Sequence, residues 1–198
     1  MSFSSGSCGN CYYLGTGDKG ILIDAGVSLR RLKKTLMENG LDMDSFSAIL
    51  VTHDHLDHIR HLGSFCKRIA KPVFTTEDIH SALARHTFTA DHISSCRNIL
   101  SEGGWNEVAG FKVRYFVVPH DATQTVGYAI DIDDRRFVIM TDIGRILGAV
   151  LAMVIGIGVG IIGMILVCLA YPIYNRTLKK EREKIAPEII RLTDELMK

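Results

Sequence analysis

Ala48-Ile49-Leu50-Val51-Thr52-His53-Asp54-His55-Leu56-Asp57-His58 decides how this chain is read. Its first four residues are apolar, two of them β-branched, and such a run predicts a buried strand. Three imidazoles and two carboxylates then fall between residues 53 and 58. Neutral imidazole and ionised carboxylate are the ligands that borderline divalent metals prefer. An isolated histidine more often sits satisfied in a core or at the surface. A cluster at the carboxyl end of a strand, where α/β sheets gather function, predicts a metal site instead.

Upstream, Cys11 to Leu14 and Ile21 to Asp24 read as a hairpin joined by the turn Gly15 to Gly20. Asp24-Ala25-Gly26 closes it. Asp24 either braces the histidine loop from behind or caps an ordinary turn. Ser28 to Asn39 predicts a helix, with Leu29, Leu32 and Leu36 as its apolar stripe and Gly40 as its stop. Its basic face, Arg30, Arg31, Lys33 and Lys34, reads first as solvated surface and second as a phosphate contact. Cys8-Gly9-Asn10-Cys11 is a C-x-x-C without a second pair, which reads as a tight turn before a redox motif.

Downstream, helices are predicted over 59–70 and 77–86, with a strand over 72–75; residues 87–104 carry no decisive pattern. His61, His80, His86 and His92 read as surface or satisfied residues. Strands follow at 111–118, 126–132 and 136–140, the last two joined by Asp133-Asp134-Arg135. The first of these leads into Pro119-His120-Asp121 and the last into Thr141-Asp142-Ile143-Gly144. His120 and Asp142 therefore arrive at strand ends, as a shared metal crevice demands.

Lys and Arg number 23 against 22 Asp and Glu, so bulk charge does not announce a nucleic-acid binder. Five cysteines, Cys8, Cys11, Cys66, Cys96 and Cys168, suggest no disulfide framework and fit a reducing compartment. The residues from Met1 to Ser7 lack the basic and apolar pattern of a signal peptide.

The character changes after Gly144-Arg145. Ile146 to Tyr171 runs without a charge and predicts a transmembrane helix over 146–174, with Tyr171 and Tyr174 at the interface. Gly156 and Gly160 allow close helix pairing within the bilayer. Residues 175–198 read as a charged amphipathic helical tail with the stripe Ile185, Ile189, Leu192 and Leu196. Arg176, Lys179, Lys180, Arg182 and Lys184 place that tail in the cytoplasm by the positive-inside rule. A single span then sets residues 1–145 outside. Two readings stay open: a natural membrane-tethered protein, or a join between a shortened domain and the end of an unrelated membrane protein.

Residues 1–145 resemble the metallo-β-lactamase-fold hydrolases. Asp24-Ala25-Gly26, the signature His53-x-His55-x-Asp57-His58, His120 and Asp142 carry the resemblance. The Ser5-Gly6-Ser7-Cys8-Gly9-Asn10 opening, Val118-Pro119-His120-Asp121 and Thr141-Asp142-Ile143-Gly144 are similar to the WalJ/YycJ subgroup, which is associated with 5′→3′ DNA exonuclease activity. The resemblance implies an α/β (α+β) fold: a truncated αββα sandwich, followed here by a single transmembrane helix and the charged tail. It implies two divalent cations, zinc or manganese. His53, His55 and His120 would hold the first, Asp57 and His58 the second, and Asp142 would bridge them. It gives Asp57 and Asp142 a catalytic role in orienting and deprotonating water, DNA as the substrate, and a cytoplasmic hydrolase domain; a genuine 146–174 span would make the chain membrane-associated. The family supplies a further histidine to the second cation from a later strand, and no histidine follows His120. The expectation is thus an impaired second site and a second sheet with unpaired edges. Rival expectations are a thioester, lactone or similar ester hydrolase of the same fold, and a non-catalytic membrane protein or gene-fusion product with a degenerate domain.

Overall fold

A computed structural model describes residues 1–17 and 19–196, with the side chains of 144–151, 188–190 and 192–196 outside the description. Asp18 of the first hairpin turn, residues 197–198, and the side chains of Ile146, Ile189, Leu192 and Leu196 lie outside the described set. The chain divides into two units, Met1–Ile146 and Leu147–Lys198.

The first unit holds two sheets. One orders β1 (Ser2–Ser4), β2 (Cys11–Thr16), β3 (Lys19–Ile23), β4 (Ala48–Leu50), β5 (Val73–Thr75) and β6 (Arg97–Ile99) side by side. The pairs from β1 to β3 are antiparallel and those from β3 to β6 parallel. The parallel steps are bridged by α1 (Leu29–Glu38), then α2 (Leu56–Ile59) and α3 (Leu62–Ile69), then α4 (Glu77–Leu83) and α5 (Ala90–Ile93). The second sheet is antiparallel, in the order β10 (Arg135–Ile139), β9 (Val126–Ile132), β8 (Phe111–Val117), β7 (Asn106–Val108).

β4 is buried on both faces, and β3 along Gly20–Ile23, which is why both read as continuous apolar runs. Leu32, Leu36, Leu62 and Phe65 from the helices and Val113, Val126, Tyr128 and Ile130 from the second sheet join one core with Ile21, Ile49 and Leu50. The second sheet is half-buried instead: β8 alternates at first, and β10 exposes Phe137 at 42% and Val138 at 57%.

Three local differences from the sequence expectation stand out, and two have a plain physical cause. The helix expected over 59–70 is broken into α2 and α3. The Asp57 carbonyl accepts from Asn10 N–H (2.8 Å) and the His58 carbonyl from Ala25 N–H (2.8 Å), while His61 N–H turns to Ala25 O (3.0 Å). The i→i+4 partners that would carry a helix through residue 61 are therefore used elsewhere. The helix expected over 77–86 stops at Leu83. β7 escaped notice because its turn to β8 places Ala109 at φ 53° and Gly110 at φ 79°, and alanine is atypical at the first of two left-handed turn positions. Asn tolerates that conformation better. Ala109→Asn is accordingly expected to raise stability by about 0.5–1 kcal/mol, read as a higher urea midpoint at unchanged slope.

The second unit is formed by α6, which runs from Gly144 to Leu196 as one helix, through Pro172 and Pro187, and so begins in the last residues of the first unit. The expected span and tail are thus one continuous element. Ala152–Pro187 is long and apolar enough to cross a membrane, with a mean hydropathy of 2.7 in its most apolar window and no burial there. Toward its C-terminal end charged residues enter and pair within the helix, Lys184 with Glu181 at 2.8 Å and Lys179 with Glu183 at 4.0 Å.

Candidate metal centre

Parallel pairing of β3 and β4 brings Asp24 and Thr52 to the same edge of the first sheet. Val126 N–H bonds Thr52 O at 2.9 Å, which docks the second sheet on the histidine stretch. The loop after β8 then delivers His120, and the end of β10 delivers Asp142.

Asp24 is fully buried and accepts from Thr52 N–H at 2.8 Å, from Thr52 Oγ1 at 2.9 Å and from His58 Nδ1 at 2.7 Å. Of its two open readings, the brace holds. An ionised carboxylate only accepts, so the His58 proton is assigned to Nδ1 and Nε2 carries a lone pair. Thr52 Oγ1 spends its proton on Asp24, so His53 Nδ1, 3.0 Å away, donates to it. His53 Nε2 is then a buried lone pair without a hydrogen-bond partner among the described residues, 3.1 Å from Asp142 Oδ2. Two acceptors facing each other at that distance call for a cation.

The spacing agrees. Four ligand atoms held tetrahedrally at 2.0–2.2 Å from zinc lie about 3.3–3.6 Å apart. His120 Nε2 is 3.2 Å from His55 Nδ1 and 3.8 Å from Asp142 Oδ2. Ligand atoms of His53, His55, His120 and Asp142 all lie within 4.8 Å of one another. The residues therefore fit a divalent metal. Burial, with help from His58, pushes His53 down to about 4, so it is a neutral ligand at pH 7. Burial also pulls on His58, but the Asp24 hydrogen bond and charge outweigh it and hold His58 above its ordinary value.

His58 Nε2 lies 3.0 Å from Asp142 Oδ2 and 3.7 Å from Asp57 Oδ2, so Asp57, His58 and Asp142 form a second, adjoining group. Asp54 turns away from the centre. It accepts from Thr123 N–H at 3.1 Å and Thr123 Oγ1 at 2.6 Å, strapping down the loop that carries His120. His61, His80, His86 and His92 lie outside the cluster; His80 Nε2, for instance, bonds Asn98 O at 2.8 Å. In the C-x-x-C, burial pushes the Cys11 thiol up to about 12, an inert group that suits the turn reading.

Sequence reasoning passed over Asn10, Thr52, Thr123 and Thr141 as site residues. Asn10 Nδ2 lies 3.0 Å from Asp57 Oδ2, and Thr141 Oγ1 bonds Thr52 Oγ1 at 3.2 Å. Their only sequence signal was adjacency to the motifs. Gly26 admits this packing: a Cβ there would meet Asp57 O at 1.8 Å and Asn10 N at 2.5 Å, both backbone atoms. Gly26→Ala is expected to cost about 1–3 kcal/mol or more, read by denaturant unfolding, and to lower metal retention along with it.

A family model described as the beta-lactamase superfamily domain matches residues 19–165. Among curated proteins, the chain is similar to the exodeoxyribonuclease WalJ of Streptococcus pneumoniae, 32% identical over 143 residues, which is 72% of this chain and 53% of that one. It is equally similar, over the same shares, to the exodeoxyribonuclease YycJ of Bacillus anthracis. The chain thus spans about half the length of the curated relatives it matches. Among solved structures, it resembles the class B3 di-zinc metallo-beta-lactamase LRA-12 from an Alaskan soil metagenome, at TM-score 0.54 and 16% identity over 67% of this chain and 58% of that one. It also resembles a beta-lactamase from Chitinophaga pinensis, at TM-score 0.52 and 17% identity over 65% and 54%. These structural likenesses speak for the fold.

Proposed function

We propose, from the premise that this chain belongs to the beta-lactamase superfamily, that it is a metal-dependent hydrolase acting on DNA from a 5′ end. The observation that carries the reading is the convergence of His53, His55, His120 and Asp142 around an unshared His53 Nε2. The exodeoxyribonuclease relatives supply the substrate class.

Those four residues would bind one divalent cation, zinc or manganese; Asp57 and His58, with Asp142, face a second position. Such a cation polarises a phosphoryl oxygen and lowers the pKa of bound water. His53 and His58 are fully buried and form the floor, whereas His55 and Asp142 are partly exposed and face the substrate. The Asp57 and Asp142 carboxylates orient the attacking water and accept its proton. Asp24 accepts from His58 Nδ1 and so sets its Nε2 toward the centre, and Thr52 does the same for His53.

The test is a duplex labelled at its 5′ end, offered with zinc or manganese beside a thioester and a lactone. Release of mononucleotides, abolished by a chelator, supports the reading. Cleavage of the thioester or lactone with intact DNA would shift it to a small-molecule hydrolase. A chain that takes up no metal would point to a degenerate, non-catalytic domain.

We propose further that residues 1–145 form the catalytic domain, and that the 146–174 stretch anchors the chain in a bilayer, with 175–198 as its cytoplasmic tail and Gly156 and Gly160 available for pairing. The full chain is expected to stay with the membrane pellet after an alkaline carbonate wash; release into the supernatant would refute the anchor.

A further inference from the structure

A cation approaching His58 meets a group already in place. His58 Nε2 offers a lone pair, and Asp57 Oδ2 lies 3.7 Å from it. Two acceptors this close repel unless a positive group lies against both. The Asn10 carboxamide supplies one: Nδ2 is 3.0 Å from Asp57 Oδ2 and 2.9 Å from His58 Nε2. Its orientation is set from the other end, where Oδ1 accepts from Gly6 N–H at 2.9 Å and from the Tyr12 hydroxyl at 3.3 Å. Turning the amide over would set its NH2 against the Gly6 N–H. Asn10 is also buried, with 5% of its surface exposed.

We propose that Asn10 is a built-in stand-in for a cation. Its amide occupies the Asp57–His58 half of the centre, so the chain binds one divalent ion tightly, at His53, His55, His120 and Asp142, and a second only in competition with Asn10. This rests on those four residues being metal ligands. Zinc bonded to His58 would sit roughly 2.0–2.1 Å from Nε2, on the lone pair that the N–H uses. Admitting it breaks the bonds to both Asp57 and His58, which weakens the second ion by about 10- to 100-fold.

The experiment titrates zinc into the full chain and into Asn10→Asp, following heat by calorimetry and retained metal by elemental analysis. The substitution keeps an acceptor for Gly6 N–H and Tyr12 O–H but replaces the N–H donor with an anionic oxygen. One tightly held equivalent is expected in the parent and two in the variant, the second bound at least about tenfold tighter than in the parent. Two equivalents of similar affinity in the parent, or a single equivalent in a folded Asn10→Asp, overturn the proposal. If the variant does not fold by circular dichroism, the parent titration decides alone. Failure of either protein to bind any zinc overturns the metal-centre reading itself, and this proposal with it.

Discussion

Asp24→Ala is expected to remove about 3–5 kcal/mol of folding stability, because several buried donors lose their acceptor at about 1–3 kcal/mol each. The carboxylate is fully buried and receives three donors: Thr52 N–H, Thr52 O–H and His58 Nδ1–H. Its removal leaves each of these buried donors without the acceptor it has in the parent. Denaturant unfolding with metal chelated checks the value; a loss under about 1 kcal/mol would mean that the network can rearrange. Asp24→Asn separates bracing from bulk stability. Its oxygen still serves Thr52, but its NH2 faces His58 Nδ1–H. The imidazole then shifts its proton to Nε2, turning a ligand atom into a donor. Metal affinity is expected to fall by about 10- to 100-fold, read by zinc titration, with most of the stability kept.

Asp142→Asn is expected to lower metal-dependent hydrolysis by about 10²- to 10⁴-fold and to cancel the thermal stabilisation that zinc confers on the parent. Oδ2 of Asp142 lies 3.1 Å from His53 Nε2, 3.0 Å from His58 Nε2 and 3.8 Å from His120 Nε2, so one oxygen serves most of the centre. The carboxamide that replaces it can point an N–H at the orphaned His53 Nε2. Without metal the variant should therefore melt no lower than the parent. With zinc at 100 times its Kd the parent gains about 2.7 kcal/mol and the variant none. Melting curves with and without zinc decide it, and a variant that keeps the full zinc shift would remove Asp142 from the ligand set. The backbone at Asp142 is left-handed, φ 55°, as it is at Asp24, φ 63°; both aspartates hold conformations that are tolerated where surrounding contacts dictate them.

Local chemistry carried much of this protein. The apolar run at 48–51 and the imidazoles behind it marked both a buried strand and a candidate metal site, because strand burial and ligand type are each written in adjacent residues. The antiparallel strands β8, β9 and β10 were legible to within a residue or two from their β-branched and aromatic content, with one-sided burial adding a period of two at the start of β8. The uncharged stretch after Arg145 announced a helix by length alone. Three things were decided only by the fold. The break between α2 and α3 depends on Asn10 and Ala25, residues distant in sequence that take the carbonyls of Asp57 and His58. The tautomers of His53 and His58 depend on Asp24, which reaches Thr52 and His58 from the end of the neighbouring parallel strand. The place of Asn10 between Asp57 and His58 depends on a loop 47 residues upstream of Asp57. Each is a hydrogen bond between segments far apart in the chain. Spacing along a sequence reports what side chains a local element presents; which distant donor meets which lone pair is determined only when the sheets and loops pack.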